Sequence, residues 1–77
     1  MSSEIYVGEV IWFSSVKGIG FILWDKDGVQ QKDMFCHYSD IVADGFKTLY
    51  KSQKVSFKIG QNVRGEPKAV EVTVLKH

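Results

Sequence analysis

Lys17-Gly18-Ile19-Gly20-Phe21-Ile22-Leu23 and, downstream, Asp33-Met34-Phe35-Cys36-His37-Tyr38 decide the reading of this chain. Side chains in a β-strand alternate between two faces. Read this way, one face carries Lys17, Ile19, Phe21 and Leu23 on a first segment, with Asp33, Phe35 and His37 on a second. The other carries Gly18, Gly20 and Ile22, then Met34 and Cys36. Rings thus share a side with a lysine, an aspartate and a histidine, groups rarely buried without a partner. That side is expected to face water and the other to face the core. Exposed rings interleaved with polar and cationic groups suit an unpaired nucleic-acid strand, whose bases stack on rings while its phosphates seek charge.

Working outward, residues 5–14 are rich in β-branched and aromatic side chains and read as a strand, with Gly8 marking a bend or bulge. Val10-Ile11-Trp12-Phe13 has no clean alternation, so Trp12 and Phe13 cannot be assigned to faces from the pattern. A strand that coils around a small barrel can expose both parities where it bends. Residues 18–24 form the next strand, and Asp25-Lys26-Asp27-Gly28 is a turn signal, lengthened by Val29-Gln30-Gln31. Residues 33–38 follow as a third strand. Ser39-Asp40-Ile41 reads as one helical turn capped by Ser39, inside a long loop over residues 39–52. Val55, Phe57 and Ile59 alternate with Lys54, Ser56 and Lys58, giving a fourth strand with one core face. After a polar loop over residues 60–67, a fifth strand spans 68–75, with Val70, Val72 and Val74 inward and Glu71 and Thr73 outward. The fold class is all-β: five short strands without an amphipathic helix predict a small closed antiparallel barrel.

The chain has 77 residues, short enough for one domain over residues 1–77. Its hydrophobic content of 44% is too high for a disordered segment. Net charge is only +1, so bulk electrostatics does not by itself argue for nucleic acid, and local placement of charge must carry any binding. A single cysteine, Cys36, allows no intrachain disulfide and fits a reducing compartment. With neither a signal-peptide pattern nor a membrane-length apolar run, the expected setting is the cytoplasm, with no membrane partner.

At this point the residues resemble a known family, the bacterial cold-shock proteins and eukaryotic cold-shock domains. The similarity runs from about Gly8 to Val74. It rests on Trp12-Phe13, residues 17–22, residues 33–38, Asp44-Gly45-Phe46-Lys47-Thr48-Leu49 and Gln53-Lys54-Val55-Ser56-Phe57, taken in this order and spacing. The resemblance implies a five-stranded antiparallel oligonucleotide-binding (OB) fold, with two ribonucleoprotein motifs on its second and third strands. Residues 1–7 would be a short N-terminal extension. It also implies binding of single-stranded RNA or DNA with a leaning to pyrimidines, and a role as a nucleic-acid chaperone influencing transcription or translation. Carried over position by position, the interface would comprise Trp12, Phe13, Phe21, Phe35, His37, Tyr38 and Phe46. Lys17 and Arg64 would meet phosphates or base edges, Asp33 would accept from a base, and Ile19 would offer contact without a π-surface. The chain departs from the family at Ile19, normally an aromatic, at Ile11, normally lysine, and at Ser14, normally asparagine. Trp24 stands where proline is common, and the hairpin over residues 25–32 is longer.

Two readings of Trp24 stay open: it caps one end of the barrel, or it replaces part of the ring missing at Ile19. Phe46 either binds or packs over the barrel end. Cys36 reads as a small core hydrophobe, and Cys36-His37 is no metal pair because neighbours on a strand point oppositely. Asp25, Asp27 and Asp33 lack the twelfth-position glutamate of a calcium loop. The glycine run is too short for a phosphate loop. The expectation is a binding module with no catalytic activity, cofactor, metal or small-molecule substrate. A monomer is expected, with a dimer swapped through the 39–52 loop as the variant form. The rival reading is an OB barrel that docks a transcription or ribosomal protein through its aromatic patch, since Ile11, Ser14 and Ile19 all weaken a nucleic-acid surface.

Overall fold

The computed structural model describes residues 4–43, 45 and 48–76. Six strands form, β1 (Tyr6–Ser14), β2 (Ile19–Lys26), β3 (Val29–Gln30), β4 (Met34–His37), β5 (Lys54–Gln61) and β6 (Pro67–Lys76). The sheet runs β1-β5-β6-β4-β2 and returns to β1, so five strands close a barrel and β3 is an outlying hairpin arm on β2. Closure removes the exposed edges that a sheet this small would otherwise present. The fold is the small closed barrel expected from the pattern, of the OB type that the family resemblance implies. One seam is parallel: β4 meets β6 through Cys36 and Ala69, extended by a parallel bridge from Ile41 to Val72.

The expected strand faces hold. Ile22, Met34 and Cys36 are buried with Val10, Val55, Phe57, Ala69 and Val72, while Phe21, Phe35 and His37 lie on the outer side. Two apolar residues of the long loop, Ile41 and Leu49, complete the core. Trp24 is buried too, at 7% exposure. Its ring meets Tyr6 edge-on at 5.0 Å and Phe57 at 5.7 Å, and its Nε1 donates to the Lys32 carbonyl at 3.0 Å. That fills one barrel end, in line with the capping reading of Trp24, and the ring also borders the groove beside Phe21 and Phe35.

Several local expectations need correction. The bulge of β1 lies at Ile11, between the pairs Val10–Ile22 and Trp12–Phe21; Gly8 stays in register with Trp24 and Val55. In β6, one extra residue separates the pairs Ser56–Thr73 and Lys58–Val70, and Glu71 there has φ of 50°. A bulge resets side-chain parity. Ala69 and Val72 therefore face the core, and Val70, expected inward, is only half-buried. Ile59, placed in the core by alternation, is 41% exposed although it stays paired with Ala69, and it lines an open groove beside Phe21 and Phe35.

The helical turn is a 3-10 turn, Tyr38–Asp40, capped by His37 instead of Ser39. Asp27 and Gly28 both adopt positive φ, 53° and 80°, which joins Lys26 directly to Val29 as a tight two-residue hairpin. The Val29-Gln30 segment, expected as connection, is thereby paired strand.

Candidate nucleic-acid interface

The Ile11 bulge determines which residues of β1 meet the outer face. By absorbing one residue it leaves both Ile11 and Trp12 exposed, and it brings Trp12 opposite Phe21. Phe21 in turn pairs with Phe35, so three adjacent strands contribute one transverse row of rings. Trp12 and Phe21 are near-parallel, with centroids 6.3 Å apart and planes at 27°. Phe21 and Phe35 meet edge to face at 6.0 Å and 69°. Trp12 is 45% exposed and Phe21 38%, values that leave ring faces open to water even in this company.

A second row lies alongside: Ser14 opposite Ile19, and Ile19 opposite His37. The chain leaves the strand after His37, so Tyr38 does not turn to the opposite face. Its ring stays 4.6 Å from the imidazole and is 48% exposed. The Tyr38 amide donates to the Gly18 carbonyl at 2.8 Å, tying this corner to the start of β2.

The structure thus brings Trp12, Ile19, Phe21, Phe35, His37 and Tyr38 to one face. Phe13 is placed differently. It pairs with Gly20 and packs, half-buried, against the core cluster. A Cβ at position 20 would lie 2.6 Å from Phe13 Cδ1, so the missing side chain is what lets this ring settle. Lys17 is exposed in the turn entering β2, Asp33 is exposed just before β4, and Arg64 is exposed in the turn between β5 and β6. Phe46 lies outside the described residues.

A groove of about 600 Å³ continues the first row past Phe35. Its walls include Phe21, Phe35, Lys32, Asp33, Ile59 and Glu66. Sequence reasoning did not single out Lys32 or Glu66. The far wall is the β5–β6 turn, organised by Asn62: its Oδ1 accepts from the amides of Arg64 (2.8 Å) and Glu66 (3.0 Å), and its Nδ2 donates to Glu66 Oε1 (3.0 Å). The one available signal was asparagine ahead of a glycine-containing turn, since Asn side chains readily close such loops.

Charge is sorted around the barrel. Lys54 pairs with Glu9 at 2.9 Å, Lys58 with Glu71 at 3.4 Å and Lys68 with Asp40 at 3.0 Å, and all three lysines belong to β5 and β6. The Lys68 ammonium sits beside Asp40 Oδ2 as an ion pair without forming a directed hydrogen bond to it. Among the described residues, Lys17, Lys26, Lys32, Lys51 and Arg64 form no ion pair. Cys36 is shielded on the inner face. Burial, with a smaller push from the Asp40 carboxylate, raises its thiol to about 12, so it stays protonated and unreactive. No group of side chains suited to a metal ion occurs among the described residues. No helix among them is long and apolar enough to cross a membrane.

A closed five-stranded barrel with rings from three neighbouring strands on one open wall defines an OB-type nucleic-acid-binding domain. The chain belongs to the cold-shock domain family: the model of the 'Cold-shock' DNA-binding domain matches residues 6–75. The chain is similar along nearly its whole length to curated bacterial relatives. It is 45% identical over 73 residues to the cold shock-like protein CspA of Vibrio cholerae, covering 95% of this chain and 99% of the relative. To the cold shock protein of Arthrobacter globiformis it is 48% identical over 69 residues, 88% of this chain and 96% of the relative. To cold shock protein CspV of Vibrio cholerae it is 43% identical over 75 residues, 97% of this chain and all of the relative.

Proposed function

We propose that this protein binds unpaired RNA or DNA by stacking bases on the Trp12–Phe21–Phe35 row and its neighbours, and thereby acts as a chaperone without catalysis. The observation that supports this most is the row itself: rings from three strands, aligned by register and open to solvent. A duplex hides its base faces, whereas an open strand offers each base to a ring worth about 1–3 kcal/mol per stack. Binding open forms alone shifts the folding equilibrium of the nucleic acid towards them by mass action. No nucleotide hydrolysis is needed. Trp12, Phe21, Phe35, His37 and Tyr38 serve as platforms, Asp33 accepts from a base, and Lys17, Lys32 and Arg64 meet the backbone at the rim. A leaning to pyrimidines and a monomeric state accompany this reading.

Intrinsic fluorescence tests it directly. Trp24 is buried and Trp12 exposed, so quenching by a stacked base should report chiefly on Trp12. Oligothymidine should quench the signal saturably, and Trp12→Phe should remove most of that response. With roughly two or three phosphates neutralised, the logarithmic salt slope should lie near −1.4 to −2.1 for a single strand. A slope several times steeper would mean charge dominates and stacking is secondary. Absence of any quench by unpaired strands would sink the reading in favour of a protein-docking barrel.

A further inference from the structure

Stacking alone does not require a histidine at position 37, since any flat ring would serve. Its surroundings give the imidazole a defined chemistry. The Ser39 amide donates to His37 Nδ1 at 3.2 Å, and Ser39 Oγ lies 2.8 Å from the same nitrogen. An amide N–H can only donate, so Nδ1 must present its lone pair; the proton of the neutral ring then sits on Nε2. The hydroxyl can donate into that lone pair as well. With Nδ1 turned to the 3-10 turn, the far edge of the ring carries an N–H.

We infer that His37 is a directed hydrogen-bond donor of this interface, reading a carbonyl oxygen on the edge of an unpaired base, and that Ser39 is the positioning residue that fixes its tautomer and orientation. The inference rests on the nucleic-acid reading above. Ile19 stands opposite His37 in register and offers an apolar shelf without a ring, so a base resting there presents its edge to the imidazole. In the nucleic-acid reading the phosphates are assigned to the exposed cations Lys17 and Arg64, which leaves the imidazole for a base.

The first test needs no variant. Long-range nitrogen–proton correlation spectra of the free protein should show His37 as the Nε2–H tautomer, and an Nδ1–H pattern overturns the proposal. The second is an oligothymidine titration of variants. His37→Phe keeps a ring and loses the donor, so affinity should fall about three- to tenfold, as for one net hydrogen bond. Ser39→Ala keeps the amide that holds the Nε2–H tautomer and loses only the hydroxyl, so it should leave the tautomer unchanged and weaken binding by a smaller factor, whereas Ser39→Thr, which keeps both donors, should match the parent. If the parent binds oligothymidine and His37→Phe binds equally well, only this inference fails. An equal loss on a strand of stable abasic sites would place the acceptor on phosphate and overturn the base-edge assignment. Failure of the parent protein to bind any unpaired strand overturns the nucleic-acid reading and this inference with it.

Discussion

Replacing Ile19 by phenylalanine should strengthen binding, and the structure sets by how much. Ile19 sits half-buried in the second row, between Ser14 on β1 and His37 on β4. Ser14 is small, so a ring at position 19 can lie across it towards β1 without displacing a bulky neighbour. Full removal of a stacking ring costs about 1–3 kcal/mol per base. Isoleucine already supplies apolar contact, so the gain from adding a π-face falls at the low end, about 1 kcal/mol, or roughly fivefold in dissociation constant. Fold stability should move little, because cross-strand aromatic pairs contribute only about 0.2–1 kcal/mol. The assay is Trp12 quenching by oligothymidine at fixed salt, repeated at several salt concentrations. Affinity should rise while the salt slope stays unchanged, since no charge is altered. An Ile19→Phe protein that is fully folded yet binds no better, or binds worse, would show that bases do not rest on the second row.

Three further outcomes follow from the barrel. Trp24→Phe loses indole volume and the hydrogen bond to Lys32, and should cost about 1–3 kcal/mol, read as a drop of about 4–8 °C in melting temperature per kcal/mol. Oligonucleotide affinity of the folded variant should be unchanged, and a loss of affinity at constant melting temperature would place Trp24 in the interface. Gly20→Ala drives a methyl group into Phe13 and the β1 backbone, and should destabilise by about 1–3 kcal/mol in urea titration. A neutral result there would mean β1 and β2 are not packed as closely as described. Cys36 gives an alkaline signature. Its thiol is raised from 9.0 to about 12 in the folded state, so its contribution is complete below pH 9 and is lost as pH climbs towards 12, where only the unfolded chain has ionised. The urea midpoint of the native protein should therefore fall towards that of Cys36→Ala between about pH 9 and 12, and parallel curves would refute the buried thiol.

Much of this was legible in the residues because a strand has only two faces. Polar and charged groups beside Phe21, Phe35 and His37 fixed which face met water, and the small or apolar set Gly20, Ile22, Met34 and Cys36 fixed the other. The Asp27-Gly28 turn was equally local, since few residues tolerate positive φ there. The alternation rule failed wherever a bulge reset it. Around Ile11 the broken alternation of Val10-Ile11-Trp12-Phe13 signals a bend without placing it, and around Glu71 nothing along the chain marks an extra residue. Their positions follow from how a short sheet must bend to close, and closure is a property of all five strands together.

The same division holds for the site. Composition and period two alone determined that this is a small β-barrel with an aromatic, polar-rimmed outer wall. Tertiary structure decided that Trp12 rather than Phe13 joins the row, that Trp24 belongs to the core, and that Asn62 holds the turn carrying Arg64 and Glu66 against the same wall. Those outcomes depend on cross-strand register and on which end of the barrel a ring meets, and neither is encoded within any one segment.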